Sequence, residues 1–458
     1  MIIQEFRDAI GAEKVLSGEQ LSSRYTHIWK MNQPLQAVAV ILADSTDDVA
    51  KCMAICHEHS QPVVVHGGLT NLVGSTETTG REVVISTEKM NQVLEVDQFG
   101  RTITVQAGVI LEHIQQAASD VGLQLPLNFG AKGSAQIGGV ISTNAGGLRV
   151  FRYGMTRQLV LGLEAVLADG TVISSMKKLI KDNSAYDLKQ LFIGSEGTLG
   201  VITKAVLKLI EAPKSRSSAF VAFDDFESVV GFLKYMDAGL AGSLSGYELI
   251  WGQTYATMTA PDTVKCPLPT GSKYYVLLDA LGGDQAKDDQ LMSELLEQAV
   301  LDDRLSDGVL SHSQADINWF WGIREDVHVI ASACTYDQHF DVSLPIVDIG
   351  RYVDQVVERL EALPDVTRCY PFGHVADGNV HFIVDKANES QELKEAIDHV
   401  VYSPLTELGG SVSAEHGIGL HKKKYLAMCR TPEEILLMRT IKQAMDPRGI
   451  LNPGKVLD

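Results

Sequence analysis

Between residues 35 and 210 the chain alternates short β-type runs with glycine-rich turns and a few helical stretches. PVVVH (62–66) reads as a short strand that stops at Gly67-Gly68. VLEVDQFGRTITVQAG (93–108) alternates with period two about Phe99-Gly100, and LGLEAVLADGTVIS (161–174) about Asp169-Gly170. Both predict hairpins, the second closed by a type I′ turn because an Asp-Gly pair tolerates positive φ. Val49, Met53 and Cys56 recur at helical spacing over 46–59. Residues 111–121 form a second helical stretch, with Gly122 placed to occupy the C′ position.

The texture changes near residue 212. EAPKSRSS (211–218) is polar and contains a proline, and predicts a domain boundary. Beyond it, strands such as KYYVLLDA (273–280) alternate with longer helices such as QAKDDQLMSELLEQAV (285–300), the pattern of an α+β domain with an antiparallel sheet. TPEEILLMRTIKQAMD (431–446) predicts a terminal helix with Thr431 as N-cap and Pro447 just beyond. A chain of 458 residues is too long for one core. The expected division is 1–212, 213–405 and a C-terminal segment 406–458.

Composition narrows the class. Lys and Arg number 39 against 58 Asp and Glu, for a net charge of −19, which argues against a general nucleic-acid binder. An anionic substrate stays admissible, since one buried Arg or a metal reverses the local field. The six cysteines are scattered without a CxxC pair, as in reduced thiols of a cytosolic protein. Cys52 and Cys56 beside His57 and His59 imitate a metal cluster, but their spacing suits a buried helix face better. No apolar run approaches the ~20 residues of a membrane span, and the opening MIIQEFRDAIGAEKVL lacks a targeting pattern. A cytoplasmic protein is expected.

Two segments concentrate glycine at strand ends: HGGLTNLVGS (66–75) and GAKGSAQIGGVISTNAGG (130–147). Dense glycine serves tight turns, or lets backbone N–H groups converge on a phosphate. Thr70, Asn71, Ser134, Thr143 and Asn144 interleaved among the glycines favour the phosphate-bearing cofactor. Neither GxGxxG opening a helix after a strand nor GxxxxGK[ST] is present, which excludes the Rossmann and P-loop readings.

Farther on, GHVADGNVHF (373–382) sets His374 and His381 on either side of an Asp377-Gly378-Asn379 turn, and SAEHGIG supplies Glu415 beside His416. Two imidazoles and a carboxylate form a common three-ligand metal set that leaves positions for substrate. Spacing alone is equally compatible with a structural zinc site or a hydrolase.

Larger motifs distinguish among these. GGLTNLVG, LPLNFGAKGSAQIGGVISTNAGGLRVFRYG (125–154) and IGSEGTLGVIT (193–203) resemble the FAD-binding domain of the vanillyl-alcohol oxidase superfamily. WGIRE (321–325), FDVSLP (340–345), GHVADGNVH, SAEHGIG and DPRGILNPGKVL (446–457) resemble the FAD-linked D-2-hydroxy-acid dehydrogenases, whose members oxidise D-lactate and D-2-hydroxyglutarate. The resemblance runs from about residue 30 to the end. It implies an α+β fold: a two-part PCMH-type FAD domain, an antiparallel-sheet substrate (cap) domain and a C-terminal helical segment. FAD is then expected on His66, Gly67, Gly68, Leu69, Thr70, Asn71 and Leu72. Pro126, Gly133, Ser134, Gly138, Gly139, Thr143, Asn144, Gly146 and Gly147 serve from the second loop, and Glu196, Gly200, Ile202 and Asn452 from beyond it. Where some members tether the flavin through a His, this chain has Leu69, so non-covalent FAD is expected.

The same resemblance makes His374, His381 and Glu415 the ligands of a divalent metal, with zinc the first candidate. It makes His416 the catalytic base and Arg324 the partner of the substrate carboxylate. The chemistry agrees: a 2-hydroxy acid chelates a metal, its hydroxyl is acidified, and a histidine with pKa near neutrality takes the proton. Arg suits a bidentate grip on carboxylate. Three positions depart from the 2-hydroxyglutarate pattern. His328 stands where Thr is typical, His339 where Lys is typical, and Ile383 where Asn is typical; Ala376 replaces a frequent Gly. The positions of His328, His339 and Ile383 help hold the distal end of the substrate in the family, so D-lactate or a related short acid is expected over D-2-hydroxyglutarate. Electrons must leave to a partner such as a flavoprotein, a quinone or a cytochrome, and a homodimer is compatible with the chain. The competing class is a metallohydrolase or zinc-stabilised binding protein without flavin.

Overall fold

The computed structural model describes residues 2–29, 34–260 and 264–458. It divides into two compact units. The first comprises Met1–Gly147, Tyr153–Ala212 and Glu415–Asp458, and the second Leu148–Arg152 and Pro213–Ala414. The break at Ala212 falls inside the polar stretch 211–218. The chain enters the first unit for the last time at Glu415, so 406–414 belong to the second unit.

In the first unit, among the described residues, one sheet has the order Val15–Leu16, Ala39–Leu42, Val83–Ser86, Val63–His66. Its last three strands are parallel. Helix Thr46–Glu58, capped by the Ser45 side chain, buries Val49, Cys52, Met53 and Cys56 against this sheet. The cysteines are therefore core residues, and burial pushes the Cys52 thiol up to about 12. A second, antiparallel sheet has the order Val93–Asp97, Thr102–Gln106, Val201–Lys208, Val160–Val166, Val172–Ser175. Both predicted hairpins are its edges.

The turn of the second hairpin differs from expectation. Gly170 has φ +88, but Asp169 is not in the left-handed region, so a type I′ turn is ruled out. Instead the Gly170 N–H reaches the Leu167 carbonyl, the Leu167 N–H reaches the Thr171 carbonyl, and Asp169 Oδ1 accepts the Thr171 N–H. The 111–121 helix also ends early, at Ser119, and Gly122 supplies the left-handed residue (φ +76) two positions beyond its cap Asp120.

The terminal helix Pro432–Met445 has the capping box of Thr431 and Glu434. After it, buried Asp446 accepts the N–H groups of Ile450 and Leu451, turning the tail onto the first sheet. Val63 and Leu451 pair in parallel there. That pairing explains why the last residues of the chain belong with its beginning.

The second unit is built on a seven-stranded antiparallel sheet among the described residues. Its order is Asp307–Leu310, Ser215–Phe223, Tyr274–Gly282, Leu244–Trp251, Val366–His374, Asn379–Lys386, Tyr336–Ser343. The polar SRSS of the expected boundary is the start of a buried strand. Ser215, Ser217 and Ser218 place their hydroxyls on Asp288, Asp289 and Asp279. Polar residues can line a strand interior when each hydroxyl is satisfied. Helix Gln314–Glu325 buries Ile317, Phe320, Trp321 and Ile323 against one sheet face. Among the described residues no helix is long and apolar enough to cross a membrane.

Candidate active site

In the first unit the two glycine segments line one cavity of about 330 Å³. Gly67 to Leu72 form one wall, and Gly138, Gly139, Thr143 and Gly146 another. Glu196, Gly200, Ile202 and Asn452 complete it, joined by Glu415 and His416. Thr76, Thr87, Gln136 and Ser142 also line it and were not singled out from the sequence.

The glycines in these walls have a visible purpose. A Cβ on Gly139 or Gly130 would project into open space, so each glycine keeps the cavity clear. A Cβ on Gly68 would collide with the Ser134 carbonyl and lie 2.9 Å from the Gln136 nitrogen. The two loops therefore meet backbone to backbone. A backbone-lined hollow of this kind fits a large phosphate-bearing cofactor such as FAD.

Six expected cofactor residues, His66, Pro126, Gly133, Ser134, Asn144 and Gly147, do not line the cavity itself. His66 ends its strand with Nε2 on the Thr76 carbonyl at 2.9 Å, and burial holds its imidazole down to about 4. Asn144 (φ +51) accepts the Arg157 N–H, and Gly147 packs on the backbone of Asn128. These residues shape the loops from behind. Leu69 adopts φ +56, a costly conformation for a branched side chain that the surrounding turn imposes.

Glu196 was expected as a cofactor residue, but its carboxylate faces the chain. It accepts the Ser75 hydroxyl at 2.8 Å and the N–H groups of Ile418 and Gly419 at 2.7 and 2.9 Å. Its own carbonyl accepts from Asn452 Nδ2 at 2.6 Å. Asn452 Oδ1 in turn accepts the Val65 N–H, so the tail, the first loop and the loop after His416 share one network. Burial raises the Glu196 carboxyl, against the pull of these donors.

In the second unit the hairpin Val366–His374/Asn379–Lys386 turns on Val375–Asp377 and Gly378 (φ +84). His374 and His381 lie with ring centroids 5.2 Å apart and planes at 89°. Strand register gathers most of the predicted residues on one sheet face. His381 opposes Phe372 and Asp341, Ile383 opposes Tyr370 and His339, and His374 opposes Glu248. Alternation then puts Glu248, His374, His381, Ile383, Asp341 and His339 on that face together.

Arg324, near the end of helix Gln314–Glu325, is 5 % exposed. Its Nε donates to Glu248 Oε2 at 3.0 Å, its Nη2 forms an ion pair with the same oxygen at 2.8 Å, and its guanidinium lies 4.9 Å from the Phe372 ring centroid. The other Glu248 oxygen accepts from His374 Nδ1 at 2.7 Å. Burial would raise the Glu248 carboxyl, but His374 and Arg324 outweigh it and hold it below its ordinary value. Ile383 is a core residue, 1 % exposed. His339 pairs with Asp337 at 2.6 Å, and His328, on the following helix, is exposed. Asp341, fully buried, accepts the Ala414 N–H and the Ser413 hydroxyl, both at 3.1 Å, and so holds the backbone just ahead of Glu415.

Glu248 carried no functional expectation. Its signal was one charge inside the otherwise apolar or small run LSGYELIW, a strand whose eight residues are all buried.

Comparison with known proteins adds three findings. Residues 37–175 match the model of an FAD binding domain, and residues 212–456 that of the C-terminal domain of FAD linked oxidases. A mitochondrial D-2-hydroxyglutarate dehydrogenase of Bos taurus is 39% identical over 413 residues, 90% of this chain and 75% of the relative. A Schizosaccharomyces pombe protein, provisionally named a mitochondrial D-lactate dehydrogenase, is 35% identical over 90% of this chain and 80% of its own. Among solved structures, an alkyldihydroxyacetonephosphate synthase is similar in fold, with TM-score 0.75 and 16% identity, over 99% of this chain and 85% of that one.

Proposed function

Given that the chain belongs to the FAD-linked oxidase family, we propose that it is an FAD-dependent dehydrogenase of D-2-hydroxy acids. The observation that carries this reading is the presence of Glu415 and His416 on the wall of the glycine-lined cavity. There a proton acceptor and a metal-type ligand accompany the loops suited to the flavin.

FAD, when bound, supplies the acceptor for the C2 hydride. The reading assigns a divalent metal, zinc first, to His374, His381 and Glu415, where its charge would acidify the substrate hydroxyl. Two imidazoles set edge to face, one of them backed by a carboxylate, are a donor set that fits such an ion. His416 takes the hydroxyl proton on an imidazole nitrogen as C2 becomes a carbonyl carbon. Arg324 meets the substrate carboxylate through Nη1 and the outer edge of its fork, because Nε and one side of Nη2 are committed to Glu248. The bidentate grip expected from the residue type is therefore confined to one end of the guanidinium.

The relatives' names favour D-2-hydroxyglutarate as substrate. D-lactate is the second reading, favoured by the apolar, buried Ile383 and by the S. pombe relative. Electrons pass on to a separate flavoprotein, quinone or cytochrome, and FAD is held without a covalent tether.

The test is anaerobic mixing of the purified protein with D- and L-2-hydroxy acids of graded chain length. Bleaching of the flavin by D-isomers alone is expected. A colourless protein that releases no flavin on denaturation would sink the reading in favour of a metallohydrolase or zinc-stabilised protein.

A further inference from the structure

Strand Leu244–Trp251 is buried along its whole length and still carries a carboxylate at its centre. An ionised group in such a place is costly unless each oxygen is met by donors. Glu248, 1 % exposed, meets this condition by serving two residues from different elements. His374 is its cross-strand neighbour at the end of Val366–His374, and Arg324 comes from helix Gln314–Glu325. A carboxylate present only to pin a helix to a sheet would need Arg324 alone. The second contact is spent on a histidine ring whose neighbour, 5.2 Å away, is His381.

We propose that Glu248 is a positioning residue that sets the His374 ring and the Arg324 fork with its two oxygens. By accepting at Nδ1, Oε1 fixes the tautomer in which that nitrogen carries the proton and Nε2 carries the lone pair. Oε2 takes the inner edge of Arg324, so the guanidinium presents its other end. The ligand nitrogen and the carboxylate-binding cation are thereby referred to one rigid point on the sheet. This rests on the proposed reading in which His374 is a metal ligand and Arg324 meets substrate.

The measurement is Zn²⁺ affinity by equilibrium dialysis against a competing chelator, with KM, kcat and flavin content followed in parallel. In Glu248→Gln the amide offers one acceptor, and its NH2 opposes either Arg324 or His374. Zn²⁺ affinity should fall by about 10- to 100-fold and KM should rise more than kcat falls, with flavin content unchanged. Glu248→Asp, which keeps the charge on a shorter arm, should recover part of both. Wild-type Zn²⁺ affinity and KM in Glu248→Gln would overturn the proposal, provided His374→Ala loses Zn²⁺. If His374→Ala binds Zn²⁺ like the wild type, the metal reading itself fails. Should the Glu248 variants not fold, the ¹⁵N spectrum of histidine-labelled wild type decides, with His374 assigned by its loss in His374→Gln. An Nδ1–H tautomer supports the role of Glu248, and an Nε2–H tautomer overturns it.

Discussion

Glu196 accepts the backbone N–H of Gly419 at 2.9 Å, across 223 positions of sequence. With the Ile418 N–H and the Ser75 hydroxyl on the same carboxylate, it fixes the strand of chain that follows His416. Its backbone stands at φ +51, a strain the surrounding bonds must offset. Glu196→Ala would strand these donors in a buried site at about 1–3 kcal/mol each. The expected outcome is a melting temperature lowered by several degrees and loss of flavin on gel filtration. Wild-type flavin retention would mean that the loop is held by other contacts.

His66 predicts an acid-sensitive fold. Its folded-state pKa lies near 4, below the ordinary 6.5, because burial disfavours the imidazolium. Above pH 6.5 the ring is neutral in both states and nothing is lost. Between pH 6.5 and 4 the unfolded chain takes up a proton that the folded one refuses, and stability falls by about 3 kcal/mol in all. Urea melts of wild type and His66→Gln across that window should diverge, the variant showing the flatter pH dependence. Parallel curves would exclude His66 as the source.

Gly68 and Gly139 should fail in different ways. Gly68→Ala pushes a methyl into backbone of the second loop, which no rotamer change relieves, and should destabilise the fold by about 1–3 kcal/mol. A Cβ at Gly139 meets nothing within 4 Å, so the side chain of Gly139→Val extends into cavity space. The variant should fold normally and purify without FAD. A yellow Gly139→Val protein would place the cofactor elsewhere.

His416→Ala should keep flavin and bound metal while losing substrate-driven bleaching by two orders of magnitude or more, the scale of a lost general base. Stopped-flow absorbance under anaerobic conditions measures it. Unchanged bleaching would remove His416 from the chemistry.

Ile383→Asn tests the distal end of the substrate. The new amide would be buried beside Tyr370 and Phe372, costing about 1–3 kcal/mol in the free enzyme. If Ile383 borders the substrate, kcat/KM for D-2-hydroxyglutarate should rise relative to D-lactate. An unchanged ratio would assign Ile383 to the core alone.

Much of this molecule is legible in its residues. The two hairpins, the 46–58 helix and the N-cap at Thr431 follow from period, turn residues and caps, which are local properties. The glycine segments foretold a cavity because glycine density reports backbone geometry directly. Asp169-Gly170 departs from the expected type I′ turn because an Asp-Gly pair also suits a longer turn with only its glycine left-handed. SRSS (215–218) reads as part of a domain boundary and not as a buried strand, since nothing local shows that Asp279, Asp288 and Asp289 will meet its hydroxyls. His374 and His381 were found from one turn, whereas Glu248 lies 126 positions before His374. Alternation within a strand says which residues share a face. Only the pairing of strands 244–251 and 366–374 decides that a carboxylate stands opposite that histidine. Sequence by itself determined the kinds of groups this protein brings to its chemistry. The tertiary structure decided which of them are spent on each other, because burial and register join residues that no local pattern connects.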